Sequence, residues 1–242
     1  MSDAGGPIEE ISGKDALATA LSVIGTERDA LTQLEGLYAS DDIAQAGLAN
    51  SVNVITTSIC SGGKLVVVGV GKSGKIGQKV VATMNSFGIR SAFLHPTEAL
   101  HGDLGMIGEN DTILVITFSG RTPELLNLLP YLPLDMALIA VTSHATPSTC
   151  PLFESRSPHL SILLPAPIPT SEVDSFGVAA PTTSTTVALA LTDALAMAVA
   201  RRLHLDPSVV FQGYHPGGTI GISHRASGLS STNGGNPSPV EI

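Results

Sequence analysis

Short aliphatic runs, each cut off by glycine, proline or hydroxyl residues, recur through the middle of the chain at 64–70, 91–95, 112–118, 136–142 and 160–164. Runs of five to seven such residues between breakers read as buried strands. The segments between them carry helical spacing: 73–87, a short stretch at 97–101, 123–131 and a short stretch at 147–154. Strand and helix in strict alternation predict an α/β domain built on a doubly wound, five-stranded parallel sheet with right-handed crossovers. Ahead of the first strand, Leu17, Leu21, Ile24, Leu31 and Leu34, then Ile43, Ala46, Leu48, Val52 and Ile55, mark two amphipathic helices over 14–37 and 43–59. Such helices either cover their own sheet or pack across a partner chain, and the pattern allows both. Behind the sheet, the run Pro181-Thr182-Thr183-Ser184-Thr185-Thr186 opens a helix to about Leu203, the longest expected, and Asp206-Pro207 starts a short last one.

Two segments fall outside this rhythm. Residues 165–180 form a proline-bearing loop holding Glu172 and Asp174, and loops of that length inside a domain are usually functional or disordered. After 222 the chain is rich in Ser, Gly, Asn and Pro without apolar periodicity, the composition of a disordered tail. The expected organisation is a flexible terminus over 1–13, one domain over 14–221 and a tail over 222–242.

Composition narrows the partners. A net charge of -9 argues against nucleic acid, whose phosphate backbone calls for a basic surface. No stretch reaches the roughly 18 uninterrupted apolar residues of a membrane span, and the start of the chain lacks the basic and apolar regions of a secretory signal. Cys60 and Cys150 stand far apart, so no disulfide framework is implied and a reducing, cytoplasmic setting is expected.

The chemistry-bearing residues gather at the ends of the expected strands, the edge where open α/β sheets bind ligands. Gly69-Val70-Gly71-Lys72-Ser73-Gly74 fits the glycine pattern of a dinucleotide loop. That reading needs an acidic residue ending the second strand, and His95-Pro96 stands there instead. Lys72 then remains as a cation at the mouth of a strand-to-helix turn. Thr117-Phe118-Ser119-Gly120-Arg121-Thr122 sets three hydroxyls around a glycine just before a helix at Pro123, an arrangement that binds phosphate without formal charge. His95, Glu98, His101 and Asp103 crowd nine residues in a spacing that matches no zinc motif, and are read as a hydrogen-bonded acid-base cluster. Glu124 at a helix start, Glu172 in the long loop and His215 before a stiff Pro-Gly-Gly turn complete the candidates. His144, His159, His204 and His224 stand alone and are expected to be surface or structural.

These motifs, in this order, resemble the sugar isomerase (SIS) domain of the arabinose 5-phosphate isomerases. The resemblance is carried by Gly71-Lys72-Ser73-Gly74, His95-Pro96-x-Glu98-Ala99-x-His101-Gly102-Asp103-Leu104-Gly105-Met106, Ser119-Gly120-x-x-x-Glu124, the hydroxyl run 181–186 and His215-Pro216-Gly217-Gly218-x-x-Gly221. It implies a flavodoxin-like, tetrameric protein, with sites near subunit interfaces, that interconverts D-ribulose 5-phosphate and D-arabinose 5-phosphate without metal or nicotinamide. By motif position, Lys72, Glu124, Glu172 and His215 correspond to the catalytic group, and Ser73, His101, Thr117, Ser119 and Thr122 to substrate-binding positions. Bacterial members commonly continue into a pair of CBS domains, where this sequence carries its polar tail. Arg121 stands where the family usually has an acid, and Ser171-Glu172-Val173-Asp174-Ser175-Phe176-Gly177 differs from the family's usual loop. A non-catalytic phosphosugar-binding regulator, or an isomerase of another pentose or hexose phosphate, are the alternative readings.

Overall fold

The computed structural model describes residues 13–217, so the expected tail over 222–242 and the terminus over 1–12 lie outside the described residues. Five parallel strands form one sheet: β1 (Leu65–Gly69), β2 (Ser91–Leu94), β3 (Thr112–Ile116), β4 (Leu138–Thr142) and β5 (Ser161–Pro165). Their order is β2-β1-β3-β4-β5, the flavodoxin-like arrangement, whose direction of winding reverses between β1 and β3. Register follows the alternation of side chains. Leu65, Val67, Leu114, Ile116, Ile139, Val141, Ile162 and Leu164 enter one apolar cluster, while Val66, Val68, Ile113, Val115, Leu138, Ala140 and Leu163 enter the other. Both faces are dry, which is why the strands read as continuous apolar runs rather than alternating ones.

The first cluster is closed by α1 (Gly13–Ser40), α2 (Asp42–Cys60), α3 (Gly71–Ser86) and α7 (Thr183–Leu203). The second is closed by α4 (Pro96–Ala99), α5 (Pro123–Leu128) and a string of 3-10 turns between 129 and 160. The helix expected at 147–154 is two such turns, Pro147–Thr149 and Pro151–Phe153, because Pro147 and Pro151 each start a turn and neither can donate to a continuing helix. A last short helix, α8 (Pro207–Gly213), is capped by Asp206, whose Oδ1 accepts from Ser208 N at 2.9 Å.

At 28 residues α1, not α7 at 21, is the longest helix, a correction to the sequence expectation. Its halves differ. Ala30 and Leu34 are buried against the core, whereas Leu17, Leu21 and Ile24 are 60–64% exposed on the other half. α7 has the length and composition to cross a membrane, but it runs through the core and packs against α1, α2 and α3. Close backbone contacts hold these layers together. A Cβ at Gly47 of α2 would lie 2.0 Å from the Leu163 carbonyl oxygen, so only glycine lets α2 approach β5 this closely.

Candidate functional site

The glycine loop after β1 is explained by packing. Gly71 adopts φ +60°, and a Cβ at Gly74 would stand 2.9 Å from the Gly69 carbonyl oxygen. The glycines thus allow α3 to start hard against β1 and leave its first turn open. Val70, at the N-cap, makes no side-chain cap bond, and no acid lies in the first turn. Lys72 is exposed there, at the positive end of the helix dipole, where a cation is not favoured by the helix itself. An anionic partner would offset that cost.

β3 ends in the hydroxyl loop. Thr117 is buried, with its Oγ1 3.3 Å from that of Thr122, and Arg121 N donates to Ser119 Oγ at 3.2 Å. The Phe118 carbonyl accepts from Thr142 Oγ1 (2.9 Å), Ser143 N (2.9 Å) and Ser143 Oγ (2.7 Å). The Ser119 carbonyl accepts from His144 Nε2 at 3.0 Å. His144, expected to stand alone, therefore braces this loop. Glu124 is half-buried in the first turn of α5, and neither carboxylate oxygen is hydrogen-bonded among the described residues.

The long loop after β5 is not structureless. Glu172–Phe176 forms a short helix, α6, whose N-cap Ser171 Oγ accepts from Asp174 N at 3.1 Å and which ends at Gly177 in the left-handed conformation. Glu172 reaches across to the start of α7. Its Oε1 accepts from Thr182 N (2.8 Å), Ser184 N (3.1 Å) and Ser184 Oγ (2.6 Å). The hydroxyl-rich start of α7 is thus capped by a carboxylate from elsewhere rather than by the side chain of its own N-cap, Thr182.

A cavity of about 160 Å³ opens over the carboxyl ends of β3, β4 and β5, beside the first turns of α3 and α7. Its polar lining comes from Ser73, Thr117, Thr142, Glu172, Ser184 and Thr185. It sits where the winding of the sheet reverses, the place where open α/β sheets bind ligands. Three sequence candidates, Ser73, Thr117 and Glu172, line it. Lys72, His101, Ser119, Thr122 and Glu124 lie on the turns of the same sheet edge. Thr142, Ser184 and Thr185 line the cavity as well, and only the hydroxyl run 181–186 gives a local sequence signal for two of them, as residues of a helix start.

One expectation fails, and one candidate lies apart from the rest. His95, Glu98, His101 and Asp103 form no hydrogen-bonded cluster: His95 Nδ1 accepts from Thr97 N at 3.3 Å as the cap of α4, and the side chains of Glu98, His101 and Asp103 are exposed without hydrogen bonds among the described residues. A capping imidazole is turned into its own helix and away from its neighbours. His215 does not join the other candidates within one chain. Its Nδ1 bonds the Phe211 carbonyl at 2.6 Å, its ring stacks on Phe211 at 4.1 Å, and Nε2 lies 3.4 Å from Ser86 Oγ at the far end of α3. Lys72 opens that helix, so His215 lies about 20 Å away at 1.5 Å of rise per residue.

The sequence pattern of the SIS domain matches residues 58–198, more than half the chain. The chain belongs to the SIS domain family. Among relatives of this SIS protein, an uncharacterised Helicobacter pylori (strain J99) protein is 43% identical over 86% of this chain and 59% of its own length. Arabinose 5-phosphate isomerase KdsD of Pseudomonas aeruginosa is 37% identical over 86% of this chain and 58% of its own. The SIS chain therefore spans less than two thirds of the length of these relatives. A solved E. coli CFT073 protein in complex with arabinose 5-phosphate superimposes with a TM-score of 0.65 at 33% identity, over 85% of this chain and all of that one.

Proposed function

We propose that this chain is a sugar-phosphate aldose-ketose isomerase that interconverts D-ribulose 5-phosphate and D-arabinose 5-phosphate through an enediol intermediate. The observation that carries the reading is convergence at one sheet edge: Lys72 follows the carboxyl end of β1, the hydroxyls of Thr117, Ser119 and Thr122 and then Glu124 follow that of β3, and a cavity at this edge is lined by Ser73, Thr117 and Glu172. The likeness to proteins named for arabinose 5-phosphate chemistry supports the substrate.

Each residue type has a task. The hydroxyl loop and the open first turn of α3 hold the phosphate. From the aldose, a carboxylate takes the C2 proton to form the enediolate and returns a proton to C1, giving the ketose. Glu124, with both oxygens free of hydrogen bonds among the described residues, suits that transfer better than Glu172, whose Oε1 already accepts three. An imidazole, His101 or His215, moves protons between O1 and O2. Lys72 offsets the enediolate charge.

The distance of His215 supports an assembly in which a second subunit brings its own His215 to this site, so we propose a homotetramer with sites near subunit interfaces. The exposed Leu17, Leu21 and Ile24 offer an apolar face for such contacts. Cys60 and Cys150 are free thiols, as suits a cytoplasmic protein, and the acidic balance gives nucleic acid no attraction.

One observation favours a second reading. A Glu172 held as a helix cap suits a domain that only binds a phosphosugar and signals through a partner. Assay of the purified protein with D-ribulose 5-phosphate, alongside Glu124→Gln, Glu172→Gln and His215→Ala, separates the two. Turnover lost in the variants supports the isomerase; tight binding without turnover in the unaltered protein supports the sensor. Turnover of a different pentose or hexose phosphate would keep the mechanism and change the substrate.

A further inference from the structure

We infer that His144 is a positioning residue that sets which way the 119–120 peptide faces, and so decides whether the loop after β3 offers ligand N–H groups or a carbonyl oxygen. The inference rests on the reading of that loop as the phosphate-binding element. His144 lies just past β4, on the strand neighbouring β3, so its turn meets the hydroxyl loop side by side.

The two successive carbonyls of the loop are held differently. That of Phe118 has three donors, two of them from Ser143. Among the described residues that of Ser119 has only His144 Nε2, at 3.0 Å. A carbonyl can only accept, so Nε2 carries the proton. The other ring nitrogen, Nδ1, lies 3.1 Å from Thr149 Oγ1, whose single proton can go to Nδ1 or to the Thr146 carbonyl at 2.9 Å. When Thr149 donates to Nδ1, the ring is held at both nitrogens.

All peptide bonds among the described residues are trans, so a carbonyl drawn toward β4 turns its own peptide N–H the opposite way. The N–H groups of Ser119 and Gly120 find no acceptor among the described residues. They are left for a ligand oxygen, as in the backbone concavities that hold anions. Gly120 makes the arrangement both possible and fragile. At φ +66° it adopts a conformation that glycine reaches freely, and the same freedom makes rotation of the 119–120 peptide cheap. His144 is the side chain that opposes the rotation. One hydrogen bond shifts such an equilibrium by about five-fold.

The test is phosphate binding and steady-state kinetics of His144→Ala, His144→Gln and Thr149→Val in the full chain. Inorganic phosphate titrated by calorimetry is the ligand for the binding arm. Removing the donor in His144→Ala is expected to weaken phosphate and raise KM for the sugar phosphate about five-fold or more while kcat falls less than two-fold; His144→Gln, which keeps an N–H donor, restores most of the loss. Thr149→Val, which leaves the ring but frees Nδ1, gives a smaller change in the same direction. Folding is followed by circular dichroism. If His144→Ala is folded and binds phosphate as the unaltered protein does, or if His144→Gln is no better than His144→Ala, the inference is wrong. Should the unaltered protein turn over no sugar phosphate yet lose phosphate affinity in His144→Ala, the isomerase reading fails while this one stands.

Discussion

Glu172 closes on Ser184: one carboxylate oxygen accepts from both the backbone N–H, at 3.1 Å, and the hydroxyl, at 2.6 Å, and a third bond from Thr182 N completes the set. The contact ties the loop after β5 to the head of α7, and it forms one wall of the cavity. Glu172→Ala is expected to lower stability by about 1 kcal/mol, the usual worth of a helix cap, and to loosen the wall. A thermal melt of the variant checks the first effect and KM for the sugar phosphate the second. A variant with unchanged melting temperature would mean that α7 does not depend on this cap.

Removing the hydroxyls of the β3 loop is expected to act on binding. Thr117→Ala combined with Ser119→Ala should raise KM about a hundred-fold, the effect of two lost charge-assisted hydrogen bonds, with a smaller change in kcat. Substrate saturation curves decide it. An unchanged KM would put the phosphate elsewhere.

Arg121 replaces the acid usual at its position in the resembling family, and it makes no ion pair among the described residues. An exposed arginine beside a phosphate site attracts a dianionic ligand through solvent, an effect that salt screens within about 10 Å at 0.1 M. Arg121→Glu is therefore expected to lower kcat/KM severalfold at low salt and much less at high salt. A loss independent of ionic strength would indicate direct contact instead.

The location of His215, at the other end of α3 from Lys72, gives a test of the assembly. Glu124→Gln and His215→Ala should each be inactive alone, yet regain part of the activity when the two are unfolded and refolded together, since mixed oligomers would pair an intact Glu124 with an intact His215 from another subunit. Absence of any recovery in demonstrably mixed oligomers would show that the two residues act within one chain or not at all.

The sheet was legible because its strands are buried on both faces through most of its width, so each announced itself as an aliphatic run cut off by glycine, proline or a hydroxyl residue. The hydroxyl loop was legible for the same reason, since Thr117 and Ser119 follow directly on β3. What escaped depends on contacts between distant segments. Nothing local to Glu172 indicates that it caps a helix beginning ten residues later, and nothing around His144 reveals that β4 runs beside β3. His95 misled in the other direction: it sits among ionisable neighbours in sequence, but the turn preceding Pro96 directs its Nδ1 to Thr97 N. α6 was missed because Ser171 and Gly177, a cap and a stop, enclose only five residues, too few to show a period.

The most direct measurement is nuclear magnetic resonance of D-arabinose 5-phosphate incubated with the purified protein in D2O. Proton transfer by a carboxylate through an enediol should produce D-ribulose 5-phosphate, carry deuterium onto the reacting carbons and leave the other positions untouched, and Glu124→Gln should abolish all of it. A protein that binds the sugar phosphate while its C2 proton signal persists and no ketose forms would contradict the account.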